Sequence, residues 1–400
     1  MRIALDGLTA PISLSGCEPL LPLLAAVLGS WRFQAAEPDQ ASDVRPVIFI
    51  RRKAGRYLIA SSWLDEPVVE RTDTGAVFSL VAEIACAFAA ENPGRLCFHC
   101  AAVELDGHLV LFPNSENAGK STLAARLAAQ GLRLFADDVL PVSRDGREGV
   151  SLGIAPRLRL PLPSCAGTQF CTFVDAHRGP CDDEFAYLTL PACRLAQRGQ
   201  AAPLGATVLL DRRRSARARL TPLSRGRAMR QLLIQNFAPR GTSVATLEEL
   251  RGIIARTACF TLTYSDLDAA AELLADRFSA AHAPWRRTFA HVDGKAHGIN
   301  IQVAPGSNRS RAIRFEQAPG VALQAMDDDL FLVKPGDAAV FHLNAIAASL
   351  WRLLERPMTL DAASDALCQA FPDTDAARIT RDVQGLFAAL KEEGLIRVAA

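Results

Sequence analysis

Along the first ninety residues apolar positions alternate with polar ones in short runs. "VIFIRRKAGRYLIASS" (47–62) carries the alternation on two arms around Ala54-Gly55, which predicts a β-hairpin. "AVFSLVAEIACAFAAEN" (76–92) then reads as a helix stopped by Pro93-Gly94. From about residue 95 to 278 strand-like and helix-like runs alternate, the pattern of an α/β core. The pattern lapses at 279–311, where five Lys/Arg, one Asp, Pro and Gly show no period and predict a linker or extended arm. Beyond 312, two strands and three helices follow, the last within "DAARITRDVQGLFAALKEEG". There is no internal repeat.

The most apolar stretch, around Leu20–Leu28, is too short to span a bilayer and lacks the flanks of a secretory signal. A soluble, cytoplasmic protein is expected. The net charge is +1, so no overall field favours nucleic acid or membrane as a partner. Ten cysteines without an export signal predict reduced thiols. Cys165, Cys171, Cys181 and Cys193 lack paired knuckle spacing, and Cys97 and Cys100 read as buried thiols on a strand rather than as a zinc site. "DRRRSARAR" (211–219) reads as a solvated hairpin.

Chemistry concentrates between 108 and 138. "HLVLF" is a strand, "KSTLAARLAAQ" a helix with Leu123 and Leu127 on one stripe, Gly131 its stop, and "LRLFA" a second strand ending in Asp137-Asp138. The loop "NSENAGKST", from Asn114 through Ser115, Glu116, Asn117, Ala118, Gly119, Lys120 and Ser121 to Thr122, has the form of a phosphate-binding loop. Amide N–H groups at a helix N-terminus bind phosphate oxygens, and the helix dipole favours their charge. Lys120 would reach the β- and γ-phosphates of ATP or GTP. Ser121 would bind Mg²⁺, with an acid from the next strand completing the shell. The motif's first glycine is replaced by Asn114, and Asn is among the few other residues that visit positive φ.

With its flanks, "FHCAAVELDGHLVLFPNSENAGKSTLAARLAAQGLRLFADDVLPV" (98–142) resembles the core of the HPr kinase-like family. These are serine kinases with a P-loop on a phosphoenolpyruvate-carboxykinase-type fold. A fainter likeness continues through "ATVLLDRRR" and "FTLTYSDLDAA" to about 278. The resemblance implies a catalytic role for Lys120, Asp137 as the acceptor of the substrate hydroxyl's proton, Asp138 beside Ser121 as a magnesium ligand, and His99 as the catalytic-site histidine. Arg157, Arg159 and Arg240 are candidates for charge stabilisation on phosphate or substrate. "LGIAPRLRLPLP" stands where true HPr kinases carry a later acidic signature, which argues against the protein HPr as substrate. The family's habit of assembly makes a homo-oligomer an expectation.

The C-terminal run 322–398 resembles the PqqD family: two strands meeting at Pro335-Gly336, then "FHLNAIAASLW", "MTLDAASDALCQAF" and a helix ending "LKEEGLI". The resemblance implies a small winged-helix domain that recognises the leader of a ribosomally made precursor peptide by adding it as a strand to an open sheet edge. Val340, Phe341, Arg381, Gln384 and Ala388 would line that groove, while Leu350, Trp351, Leu354, Leu386 and Leu390 build the core. Residues 312–400 hold 8 Lys/Arg against 13 Asp/Glu, net −5, the wrong sign for DNA.

The expected architecture is therefore α/β: a β-rich N-terminal lobe (1–94), a mixed-sheet P-loop kinase domain (95–278), a linker (279–311) and a PqqD-like domain (312–400). The expected function is phosphorylation of a hydroxyl, on Ser, of a precursor peptide using ATP (or GTP) and Mg²⁺. The alternatives are a kinase for a small molecule or another protein, and a non-catalytic nucleotide-binding peptide chaperone.

Overall fold

The structure is a computed structural model that describes residues 1–35, 45–114, 118–237, 243–286, 313–336 and 339–399. The described residues fall into two units. The first lies within Met1–Leu223, Gln231–Arg240 and Gly252–Thr288, and the second within Ser224–Arg230, Gly241–Arg251 and Phe289–Ala400.

In the first unit a six-stranded sheet runs in the order Phe33–Ala35, Arg2–Leu5, Ile12–Ser15, Ile48–Lys53, Arg56–Ser61, Val68–Glu70. The hairpin read at 47–62 is present, with Lys53 opposite Arg56. Its turn needs positive φ at both central residues, and Ala54 (51°) and Gly55 (74°) supply it. Ile48, Ile50 and Ile59 point to one face and are buried, while Phe49 between them is 47% exposed.

That buried face is covered by the helices Leu20–Val27 and Asp73–Glu91. The second is capped by Thr72, whose hydroxyl accepts from the Gly75 amide, and it ends at Asn92 before Pro93. At 19 residues it is long and apolar enough by composition to cross a membrane, which the Leu20–Leu28 stretch is not. Its most apolar window is 61% buried within the structure.

A second, seven-stranded sheet forms the core that carries the candidate site. Its order is Arg133–Ala136, Ala101–Leu105, His108–Phe112, Ala201–Arg212, Ala258–Tyr264, Arg219–Pro222, with Glu148–Val150 also on Ala201–Arg212. The three central strands are parallel and the outer ones antiparallel, so the sheet is mixed as expected. Helices Lys120–Ala129 and Leu267–Arg277 are buried against it through Leu123, Leu127, Leu267 and Leu274.

The segment 211–219 is not a hairpin. The strands on either side of it are separated by Ala258–Tyr264, which pairs Arg212 with Tyr264 on one side and Arg219 with Thr263 on the other. The Arg213 amide donates to the Tyr264 carbonyl at 2.9 Å, carrying the chain over the end of the intervening strand.

The segment 279–311 lies mostly outside the described residues. At its start, Trp285 stacks on Phe278 (5.4 Å) and His108 (4.7 Å).

In the second unit the strands Ala322–Met326, Asp329–Val333 and Val340–Leu343 form an antiparallel sheet, followed by helices Ala345–Leu353, Leu360–Ala370 and Ala376–Glu392. Each helix has a side-chain N-cap, from Asn344, Thr359 and Asp375. The turn at Pro335-Gly336 joins two of the strands as read. Phe315–Gln317 paired with Ile396–Val398, and Ala322–Met326, are strands beyond the two expected. Two of these are three residues long, too short to show alternation. Leu350, Trp351, Leu354 and Leu390 are buried together and Leu386 is partly buried against them.

Leu350 is fully buried. Leu350→Ala is expected to destabilise this unit by about 2–5 kcal/mol. Hydrogen-exchange mass spectrometry checks it: amide protection falls across 345–392 while the helix Lys120–Ala129 keeps its protection.

Candidate functional site

The strand His108–Phe112 delivers the chain to Asn114, whose side-chain amide works as an extra rung of the sheet. Its Nδ2 donates to the Leu210 carbonyl at 3.0 Å, and its Oδ1 accepts from the Leu210 amide at 2.8 Å. The expected reason for Asn at this position was positive φ, and the structure corrects it. Among the described non-glycine residues positive φ occurs at Ala54, Asp106, Ser215 and Asp327, not at Asn114. A bidentate amide is what the position uses. Ser115, Glu116 and Asn117 lie outside the described residues, as does Arg240.

Gly119 is the N-cap of the helix Lys120–Ala129, with φ 92°. A Cβ there would sit 3.1 Å from the Tyr264 hydroxyl, so both conformation and space select glycine. The first-turn amides of Lys120, Ser121 and Thr122 have no helical acceptor, and no acid occupies that turn. Lys120 is only 7% exposed. Its Nζ donates to the Asn114 carbonyl at 2.8 Å and lies 3.4 Å from His99 Nε2. The lysine is thus held against the Asn114 carbonyl, beside His99.

The acids arrive from the edge of the sheet. Val139 pairs with His99 in a short antiparallel ladder, and the Cys100 amide donates to the Asp138 carbonyl at 3.0 Å. This register puts His99 Nε2 2.8 Å from Asp138 Oδ1. Burial works against the Asp138 charge, but the His99 hydrogen bond, with Arg157 and Lys120 nearby, outweighs it and holds the carboxyl below its usual range. Asp138 keeps 56% of its side chain exposed.

Its neighbour is treated differently. Burial pushes the Asp137 carboxyl up to about 6, although the Arg157 amide, which donates to Oδ2 at 2.9 Å, and the Ser121 hydroxyl pull the other way. Asp137 Oδ1 is buried without a hydrogen-bond partner. Two adjacent carboxylates are therefore pushed in opposite directions, which separates their roles.

Arg157 and Arg159 also separate. The Arg157 guanidinium lies between the rings of Phe78 (3.2 Å) and Phe185 (4.4 Å), which are themselves within 10° of parallel. Arg159 is exposed, at 5.5 Å from Phe185. Nothing in the sequence pattern announced this stack. The only signal was Phe78 on the apolar face of the helix Asp73–Glu91.

No disulfide joins any of the cysteines, and Cys97 and Cys100 are fully buried as expected. Among the described residues there is no group of three or more His, Cys, Asp or Glu arranged for a metal. A nucleotide-bound Mg²⁺ requires less: one or two carboxylates, phosphate oxygens and water. Ser121 and Asp138 fit that donor set, which leaves the unpartnered oxygen of Asp137 free.

In the second unit, Val340–Leu343 is an edge strand, paired with Asp329–Val333 on one side only among the described residues. Val340 and Phe341 are half-buried, and Arg381, Gln384 and Ala388 are exposed on the last helix.

Comparison with known proteins matches residues 329–396 to the family model for coenzyme PQQ synthesis protein D (PqqD). No curated protein sequence matches the chain. Among solved structures, TbiB1 in complex with the TbiA(beta) leader peptide is similar at 25% identity and TM-score 0.20, covering 21% of this chain and 98% of that one. The HPr(Ser) kinase/phosphatase from Coxiella burnetii is similar at 12% identity and TM-score 0.24, covering 45% of this chain and 93% of that one.

Replacing Asn114 with Ala leaves the Leu210 amide and carbonyl unpaired, at a cost of about 1–3 kcal/mol each way the pair is broken. Asn114→Ala is therefore expected to lower the urea midpoint of the first unit, and Asn114→Asp, which keeps the acceptor, to lower it less.

Proposed function

We propose that the chain is an ATP-dependent kinase that phosphorylates a hydroxyl, most simply that of a serine, on a ribosomally synthesised precursor peptide, whose leader is held by the C-terminal unit. The observation that supports it best is the meeting of a helix N-terminus, Lys120 and a split carboxylate pair at one place. ATP with Mg²⁺ would supply the phosphoryl group and neutralise its charge. The first-turn amides of Gly119–Thr122 and Lys120 Nζ orient the phosphates, with Lys120 released from the Asn114 carbonyl. Ser121 and Asp138 hold the metal, and His99 fixes the Asp138 rotamer.

Asp137 takes the proton of the acceptor hydroxyl. A carboxyl poised at about 6 is a better base near neutral pH than an ordinary aspartate. The edge of Val340–Leu343 that is unpaired among the described residues, the acidic balance of 312–400 and the PqqD match support the peptide half of the reading. Ten cysteines that form no disulfide suit a cytoplasmic enzyme.

Incubation with Mg-ATP and a precursor peptide encoded beside the gene is expected to add about 80 Da, one phosphate, to the peptide. Lys120→Ala abolishes the gain, and Asp137→Asn slows it by about 10²–10⁴-fold. Peptide binding with no mass gain would contradict the kinase and favour a chaperone.

Transfer is also expected to depend on the C-terminal unit. Arg381→Glu should raise KM for the precursor by about tenfold with kcat unchanged, the signature of lost ground-state binding. Indifference to removal of 312–400 would contradict leader recognition.

A further inference from the structure

A small cavity of about 70 Å³, partly open to solvent, lies beside the acid pair within the first unit. Its polar end is formed by Ser121, Asp137, Asp138 and Arg157. The rest is apolar. One wall is a single face of the helix Asp73–Glu91, Phe78, Val81, Ala82 and Ala85, at spacings of three and four that bring residues into line. The facing wall includes Leu152 and Ile154. Two alanines on the helix face are what leave the space open.

The wall is fixed to the acid by one residue. Arg157 is clamped between Phe78 of that helix and Phe185, while its own amide holds Asp137 Oδ2. Phe78 cannot swing away without opening the stack, and Asp137 cannot shift without losing the amide. The distance from the candidate base to the apolar wall is thereby set within the fold.

We infer that this cavity is the acceptor subsite, and that the helix Asp73–Glu91 selects a peptide whose hydroxyl residue has an aliphatic neighbour. The inference rests on the kinase reading and narrows its substrate class. An aliphatic side chain beside the acceptor fills the space between Ala82, Ala85 and Ile154, which places the hydroxyl at the polar end. A charged neighbour would lose its hydration there without gaining a partner. The helix Asp73–Glu91 becomes the specificity wall of the site.

The test uses the full chain and the precursor with Leu, Gly or Asp placed beside the acceptor. The wild-type protein is expected to prefer Leu over Gly by roughly tenfold or more in kcat/KM, the scale on which an apolar pocket discriminates a few methylenes, and to reject Asp. Ala85→Leu, and separately Ala82→Leu, fills the cavity and is expected to reverse or abolish the preference for Leu. Either variant suffices should the other fail to fold. A Leu-to-Gly ratio unchanged by both overturns the inference.

A readout independent of turnover is photo-leucine at the neighbouring position, expected to cross-link to 78–85. Cross-linking only elsewhere, or labelling of 78–85 by an azido-ATP probe that marks the cavity as a nucleotide-base site, also overturns it. Absence of phosphate from every peptide would count against the kinase reading itself. Cross-linking to 78–85 in that case would still assign the cavity to the peptide.

Discussion

The site depends on one side chain reaching across two parallel strands. Asn114 exchanges both of its hydrogen bonds with the backbone of Leu210, which fixes where the strand His108–Phe112 stops and the loop begins. Its carbonyl then holds Lys120, and Gly119 turns the chain at φ 92° into the helix. The amides of the first turn consequently open at the end of the sheet where the acid pair arrives. In a phosphate-binding loop with its first glycine, backbone freedom shapes this start. Here a rigid amide contact does so.

The second determinant is the opposite treatment of two adjacent carboxylates. Asp138 stays exposed and bound to His99, so its charge is held. Asp137 is enclosed, with one oxygen unpartnered, and its charge is opposed by burial. The division follows from register: Val139 opposite His99 aims residue 138 at the histidine, which turns residue 137 inward toward Arg157. Arg157 in turn ties the pair to the helix Asp73–Glu91 through Phe78. Six-stranded sheet, mixed sheet and site are thus parts of one unit in physical terms.

Much of this could be read from the chain. Elements whose signal is local were legible: the Ala54-Gly55 hairpin, the helix ended by Pro93-Gly94, the strand–loop–helix around Lys120 and the acids that follow. Those whose signal is non-local were not. The separation of Ala201–Arg212 from Arg219–Pro222 depends on a strand forty residues later, and no local pattern at 211–219 could show it. The Asn114–Leu210 contact spans 96 residues, and the Phe78–Arg157–Phe185 stack draws on three separate elements. The positive-φ explanation of Asn114 fails because propensity describes a residue alone, and its partner Leu210 lies far along the chain.

The most direct measurement is a crystal structure with Mg²⁺ and a non-hydrolysable ATP analogue. The β- and γ-phosphates should lie on the amides of Gly119–Ser121, with Lys120 Nζ moved from the Asn114 carbonyl onto them and the metal beside Ser121 and Asp138. A triphosphate bound elsewhere, with Lys120 still on Asn114, would contradict the phosphate seat and with it the kinase.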